Sequence, residues 1–67
     1  MVVYINDKET NINEESLTIQ DIIDKGAYNT KYFVVYLNGV YVPRMRHHRT
    51  KLNAGDKITI YPLVSGG

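Results

Sequence analysis

The sequence has no cysteine, no long apolar run and almost no excess of charge, and each absence excludes a class of protein. Without cysteine there can be no disulfide framework, no cysteine-ligated zinc and no cysteine-bound iron–sulfur cluster. No segment has the length and apolarity of a signal peptide or a membrane span, so we expect a cytoplasmic protein without a membrane partner. The net charge of +1 is too small to indicate a protein built for nucleic acid.

Residue patterns typical of catalysis or metal binding are missing as well. His47 and His48 are the only histidines, and adjacent side chains point apart on a strand and do not face each other on a helix. The carboxylates of the first half are scattered, and helix capping and solvation account for them. No glycine-rich phosphate loop is present. The sequence therefore predicts no metal site and offers no nucleophile-and-base pair.

What is present predicts one small domain with one core, since the chain has 67 residues and 43% of them are hydrophobic. A β-rich run over residues 1–6 and a more polar run over residues 9–13 flank turn residues, which indicates a hairpin. The next strand, residues 32–37, leads into Asn38-Gly39, the strongest short hairpin signal, and returns over Val40–Val42.

A helix is predicted between the two hairpins. Thr18 has N-cap chemistry and Asp21 occupies the capping-box position three residues later. The i, i+3, i+4 spacing of Ile19, Ile22 and Ile23 places these side chains on one buried face. Lys25 and Gly26 predict the end of the helix, and residues 26–31 a polar connection. With a last strand from Lys57 to about Leu63, the element order predicts an α+β domain in which the helix covers one face of a mixed sheet.

Alternation along the strands predicts that seven side chains face the helix isoleucines: Val3, Ile5, Phe33, Val35, Leu37, Ile58 and Ile60. Three tyrosines are out of phase with these core residues of their strands. Tyr4, Tyr36 and Tyr61 should therefore project from the sheet face opposite the helix. If their strands are neighbours, the three rings form a row across an open face, as exposed aromatic residues do at protein interfaces. The alternative is that tyrosine simply suits strands that are wet on one face.

The residues from Arg44 to Lys51 are basic and predicted to be irregular in structure. Three interpretations stay open: a solvated loop, a surface that docks an acidic partner through Arg44, Arg46 and Arg49, and a contact for nucleic acid. Nucleic acid is the least favoured of the three, because the overall charge is nearly balanced.

The chain closes on Leu63-Val64-Ser65-Gly66-Gly67. Glycines have no Cβ, so a Gly-Gly end fits a channel that is too narrow for side chains. Five extended residues span about 16–18 Å, enough to carry the Gly67 carboxylate into another protein. A frayed terminus without function is the alternative. Since cysteine is absent, any sulfur or acyl chemistry of this chain would have to use that carboxylate.

Three motifs together resemble the sulfur-carrier families of ubiquitin-like proteins. They are Val42-Pro43-Arg44, the run from Leu52 to Ile60 with its Gly55-Asp56 turn, and the closing Val64-Ser65-Gly66-Gly67. The closest resemblance is to the ThiS family of thiamin biosynthesis, and the next is to the MoaD family of molybdopterin biosynthesis, which Pro62 favours. The resemblance implies a β-grasp fold of four to five strands, with the first and last strands parallel and adjacent. Residues 1–62 would form the domain and residues 63–67 a flexible tail.

The resemblance also implies the chemistry. An E1-like enzyme of the ThiF or MoeB type uses ATP and magnesium to adenylate the Gly67 carboxylate, and a persulfide sulfur then displaces AMP to leave a thiocarboxylate. A sulfur-acceptor synthase, thiazole synthase or the large subunit of molybdopterin synthase, consumes that sulfur. The carrier itself would be no enzyme and would bind no cofactor. Two further hypotheses are a ubiquitin-like modifier conjugated through Gly67 and a β-grasp module that binds RNA through residues 44–51 and the outward tyrosines.

Overall fold

The computed structural model describes residues 1–13, 17–26 and 32–63. Their elements in chain order are β1 (Val2–Ile5), β2 (Lys8–Asn11), α1 (Ile19–Gly26), β3 (Phe33–Leu37), β4 (Val40–Val42), a 3₁₀ turn (Arg44–Arg46) and β5 (Lys57–Pro62). The predicted boundaries are correct within two residues. The predicted connection over residues 26–31 falls outside the described ranges, except for Gly26, which is the last residue of α1.

The five strands form one mixed sheet in the order β2-β1-β5-β3-β4. β1 pairs with β5 in parallel, with Tyr4 opposite Lys57, whereas the hairpin partners and the β3–β5 pair are antiparallel. A parallel pair needs a long crossover connection, which the helix and the second hairpin provide here. The central parallel pair and the neighbouring second hairpin confirm the arrangement that the resemblance implied.

The helix begins where its capping residues predict. The Thr18 backbone N–H donates to the Asp21 carboxylate at 2.9 Å, and the Asp21 N–H donates to the Thr18 hydroxyl at 3.3 Å, so a reciprocal capping box is formed. The hydrogen bonds from the Thr18 backbone and hydroxyl lower the pKa of Asp21, with a smaller contribution from the Lys25 charge, against weak desolvation. Two otherwise unpaired donors at the helix start are therefore satisfied.

The core lies between α1 and the facing side of the sheet. The fully buried side chains include Val3 on β1, Val35 on β3 and Ile58 on β5, which are the positions that strand alternation predicts. The buried hydrophobic residues of the described chain are Val3, Ile12, Leu17, Ile19, Ile22, Val35, Val42, Leu52, Ile58 and Ile60. Ile5, Ile23, Phe33 and Leu37 pack against this cluster and are partly buried.

Two turn asparagines connect the hairpins to β5. Asn6 has a φ of 49°, which suits the tight β1–β2 turn, and its side-chain oxygen accepts the Ile60 N–H at 2.7 Å. Asn38, with a φ of 51°, accepts the Lys57 N–H at 2.9 Å. Each side chain thus supplies an acceptor to a backbone donor of β5, which fixes the position of the last strand.

No helix in the described part of the chain is long and apolar enough to cross a membrane.

Candidate functional site

The last described residues lead from the sheet toward the Gly-Gly end. Pro62 lies opposite Phe33, and the Leu63 N–H donates to the Tyr32 carbonyl at 2.8 Å. Pairing with the β3 side therefore continues through Leu63, the first residue assigned to the tail in the sequence prediction. Val64, Ser65, Gly66 and Gly67 lie outside the described residues, so the division into residues 1–62 and a flexible 63–67 tail stays a prediction.

Pro62 lies in the part of β5 that extends beyond its neighbour β1. Along a strand, successive N–H groups point to opposite neighbours. The Ile60 N–H reaches Asn6 on the β1 side, so the nitrogen of Pro62, two residues later, faces the same side. Among the described residues, the pairing of β1 with β5 ends at Ile58, so Pro62 has no β1 partner there. Proline has no N–H to leave unpaired, which suits it to this uncovered edge and disfavours the addition of another strand.

The open face of the sheet carries a tyrosine surface, formed by Tyr36, Tyr41 and Tyr61. The ring centroids of Tyr36 and Tyr61 are 5.5 Å apart and those of Tyr36 and Tyr41 are 5.9 Å apart, both in edge-to-face geometry. Tyr41 and Tyr61 are each about half exposed, at 52% and 53%. Rigid aromatic side chains with accessible hydroxyls are enriched at protein interfaces, so this surface can dock a protein partner.

The structure separates Tyr4 from the other two members of the predicted row, and docking of a partner through Tyr4 stays a prediction. The parallel register sets Tyr4 opposite Lys57, four residues before Tyr61 along β5, and Tyr4 makes no ring contact with another described aromatic residue. Alternation along β1 gave the correct face but could not give the register between strands. Tyr41 was missed, although a two-residue turn at Asn38-Gly39 places it directly opposite Tyr36.

The basic segment, Arg44–Lys51, is more ordered than predicted. It begins with a 3₁₀ turn, and His47 at its centre is 3% exposed rather than solvated. The His47 Nε2 lies 3.0 Å from the Val42 carbonyl oxygen, and the imidazole stacks on the Phe33 ring with an interplanar angle of 11°. His47 thereby holds the middle of the segment against the sheet, which sequence reasoning missed because a histidine in a basic run usually indicates a solvated side chain.

The basic segment is also bound to the first turn of α1. The Gln20 N–H donates to the His47 carbonyl and the Ile19 N–H to the Thr50 carbonyl, each at 3.0 Å. These carbonyls therefore satisfy backbone donors at the helix start that have no partner within the helix. The Thr18–Lys51 bridge continues the contact. The fold thus holds the basic segment in a fixed position.

The cationic side chains of this segment project into solvent. Arg44, Arg46 and Arg49 are exposed, and among the described residues none of the three has a carboxylate partner. The nearest acidic residue in the following sequence, Asp56, instead accepts hydrogen bonds from the Asn53 backbone and the Asn38 side chain. The result is an electropositive surface that is complementary to an acidic one.

A small hollow joins the basic segment to the end of β5. It has a volume of about 70 Å³ and is lined by Tyr32, Phe33, Arg44, His47 and Leu63. Arg44 thus borders the point from which the tail continues. The described residues contain no group of three or more histidine, cysteine or carboxylate side chains that could hold a metal ion, so nothing among them favours a metal site.

The chain was compared with known protein families and structures. The model of the ThiS family matches residues 3–67, almost the whole chain and including the closing glycines. A search of curated proteins gave no significant match.

Two solved structures are similar over the full length of this chain. One is a crystal structure of the thiamine biosynthesis protein ThiS from Geobacter metallireducens, with 25% identity, a TM-score of 0.85 and complete coverage of both chains. The other is an NMR structure of a thiamine biosynthesis protein from the same organism, with 25% identity, a TM-score of 0.78 and 88% of that chain covered. The mixed sheet with its helix is thus the β-grasp fold, and the chain belongs to the ThiS family.

Proposed function

We propose that this protein is a sulfur carrier that accepts sulfur as a thiocarboxylate on Gly67. The observation that carries the proposal is the family match over residues 3–67, because it extends through the terminal Gly66-Gly67 pair as well as the fold. Membership of the ThiS family supports a sulfur-carrier role in general. The assignment of the chemistry to Gly67 rests on the absence of cysteine and on the two closing glycines.

The proposed reaction begins with activation of the carboxylate. A carboxylate is a poor electrophile, so an E1-like partner lets one Gly67 oxygen attack the α-phosphorus of ATP, with magnesium on the phosphates and pyrophosphate as leaving group. The sulfur of a persulfide then attacks the carbonyl carbon, and AMP departs with its electron pair. A thiol cleaves the S–S bond of the resulting acyl disulfide, which leaves the thiocarboxylate and a new disulfide.

The chain contributes shape rather than catalysis to this sequence. Glycine at positions 66 and 67 leaves the carbonyl carbon without side-chain hindrance, and the four residues after Leu63 extend at most about 13–14 Å. The folded body gives the partner a fixed docking surface. The length of the tail then determines how far the Gly67 carboxylate extends from that surface. The partner supplies ATP, magnesium and the sulfur donor, and this chain is the substrate.

Two surfaces are suited to docking the partner. The tyrosine surface is uncharged, half exposed and aromatic, as the centres of protein interfaces are. The basic segment carries Arg44, Arg46 and Arg49, which would raise the encounter rate with an acidic enzyme and fix its orientation. The tyrosine surface spans β5, β3 and β4, and the basic segment borders the end of β5 at the small hollow.

The proposed destination of the sulfur is the thiazole ring of thiamin. The structurally similar proteins are described as thiamine biosynthesis proteins, and this supports thiazole synthase as the acceptor over molybdopterin synthase.

Intact mass spectrometry tests the proposal. The protein is incubated with an E1-like ThiF-type enzyme of the same source, ATP, magnesium and a persulfide donor. We expect an ATP-dependent mass gain equal to the exchange of one oxygen for one sulfur. An unchanged mass, with AMP release measured in a parallel assay and also absent, would contradict the sulfur-carrier assignment. Adducts that join the chain to other proteins and survive thiol treatment would instead support a ubiquitin-like modifier.

A further inference from the structure

We propose that the hollow beside Leu63 is a socket for one carboxylate side chain of the adenylating partner, and that Arg44 binds it. The proposal rests on the proposed function, because the partner is the enzyme that activates Gly67. It assigns to Arg44 a specific contact that the other exposed arginines of the basic segment do not make. Its occupant is a glutamate or aspartate on the surface of a protein.

The size of the hollow favours a side-chain tip. Sites for nucleotides or drug-sized ligands usually measure about 300–1,000 Å³. The hollow has only about 70 Å³, which holds a carboxylate and a few atoms of its stem but no nucleotide. An acidic side chain from a docked protein fits both this volume and the charge of Arg44.

The lining provides one cation and the side chains of Tyr32, Phe33, His47 and Leu63. Phe33 and the buried His47 form a stacked pair, whereas Tyr32 and Leu63 are 67% and 52% exposed. A docked partner would cover these exposed side chains, so an ion pair at Arg44 would then be screened less than a pair on an open surface. Arginine also presents two parallel N–H donors, which match both oxygens of a carboxylate.

The socket is held in shape before any partner arrives. Pro43 precedes Arg44, and the Arg46 N–H donates to the Pro43 carbonyl at 2.9 Å, which closes the 3₁₀ turn. His47 joins that turn to β4 through the Val42 carbonyl. Little backbone ordering is therefore required on binding, and preorganisation of this kind increases affinity.

The socket lies close to the start of the tail. Leu63 lines it, and Gly67 is only the fourth residue after Leu63, a span of at most about 13–14 Å when extended. A contact fixed at Arg44 therefore limits where the carboxylate can reach on the partner. The acidic side chain of the partner that binds Arg44 would have to lie within a short distance of the partner's nucleotide site.

The test compares Arg44→Gln with Arg46→Gln and Arg49→Gln, which remove the same charge outside the socket. For each variant, AMP release by the ThiF-type enzyme is measured against carrier concentration at low and high salt. We expect Arg44→Gln to raise KM by about tenfold or more with little change in kcat, because it removes a partner of a desolvated charge pair. The two controls should raise KM only about twofold to threefold, and only at low salt.

Two results of this kinetic comparison would overturn the proposal. Equal effects of all three substitutions would show diffuse electrostatic attraction without a socket. Faster activation of Arg44→Gln than of the wild type would show that Arg44 holds the chain's own terminal carboxylate and delays its release. Arg44→Lys keeps the charge without the paired donors, and full recovery of KM by this variant would contradict two-point binding of the carboxylate.

A binding measurement without ATP distinguishes failure of the socket from failure of the proposed function. Affinity of the carrier for the enzyme is measured by calorimetry in the absence of nucleotide. A loss of affinity confined to Arg44→Gln would support the socket even if no thiocarboxylate formed, whereas normal sulfur transfer with unaltered affinity of Arg44→Gln would reject the socket alone. Far-ultraviolet circular dichroism of each variant confirms that the fold is retained.

Discussion

At the residue scale, His47 shows how one side chain can organise a surface. It is buried between β4 and Phe33, whereas the adjacent His48 is exposed. Its backbone carbonyl binds the helix start and its Nε2 binds the Val42 carbonyl. A single interior imidazole therefore fixes a segment whose other side chains are mostly solvated and cationic.

The pair of neighbouring histidines gives a matched test of this role. We expect His47→Ala to lower the free energy of unfolding by about 1–3 kcal/mol, since it removes a buried hydrogen bond and leaves space beside Phe33. His48→Ala should change it by less than about 0.5 kcal/mol, as surface substitutions usually do. Urea denaturation measures both, and equal effects of the two substitutions would contradict the structural role of His47.

The capping residue Asp21 predicts a dependence of stability on pH. Its pKa is lowered in the folded protein, chiefly by the Thr18 backbone hydrogen bond. The carboxylate therefore stabilises the fold at pH values above its ordinary pKa, and the contribution is lost as the pH falls below about 4 and through the lowered value. Asp21→Asn should be less stable at neutral pH and should show a weaker decline on acidification.

Urea titrations at several pH values between neutral and acidic test this prediction. Asp24→Asn serves as the control, because Asp24 lies on the exposed side of the same helix and, among the described residues, accepts a hydrogen bond from the Gln20 side-chain amide. If Asp21→Asn declined with acid as steeply as the wild type and Asp24→Asn, the capping box would not be the source of the pH dependence.

At the element scale, β5 combines two functions on its two faces. Ile58 and Ile60 point into the core, whereas Thr59 and Tyr61 lie toward the open face, and the strand ends beside the hollow. The central position of β5 between β1 and β3 makes it both the core of the sheet and the support of the tail. Substitutions on the core face should therefore reduce stability, and substitutions on the open face should reduce partner docking.

Two neighbouring substitutions on β5 test this separation. Ile60→Ala should lower the free energy of unfolding by about 2–5 kcal/mol, because Ile60 is 4% exposed in the core. Tyr61→Ala should cost less than about 1.5 kcal/mol, since it mainly removes the edge-to-face contact with Tyr36. In the activation assay, however, Tyr61→Ala should raise KM. A folded Tyr61→Ala variant with unaltered KM would exclude the tyrosine surface from docking.

The same elements show what local sequence could and could not predict. Alternation of side chains identified Val3, Val35 and Ile58 as core residues, and the Thr18–Asp21 spacing located the helix start, because both depend on neighbours in sequence. The register between strands depends on distant residues, so the offset of Tyr4 from Tyr61 could not be deduced. The burial of His47 depends equally on a tertiary contact, the Phe33 ring.

At the scale of the whole molecule, the described residues form a β-grasp body whose last strand ends beside the basic segment. The family and the fold were accessible from sequence, because the terminal glycines and the Gly55-Asp56 turn are local signals. The small hollow was not, because it joins residues from the start of β3, the basic segment and the end of β5. Sites assembled from separate elements need coordinates.

Substitutions at the chain end should affect activation without affecting the body. We expect Gly66→Ala and Gly67→Ala to unfold at the same urea concentration as the wild type, because the core of the described residues ends before them. Both should reduce AMP release sharply, since a Cβ would crowd a narrow channel around the tail. Loss of the fold in either variant, or normal activation of both, would contradict the role given to the tail.

The central claim is that the reactive atom is the final carbonyl carbon, and the position of the transferred sulfur tests it most directly. Protein treated with the ThiF-type enzyme, ATP, magnesium and a persulfide donor is fragmented in a mass spectrometer. We predict that the mass gain of one oxygen-to-sulfur exchange appears in fragments that contain Gly67 and in no fragment that ends before it. Sulfur located on any residue of the body would contradict the account.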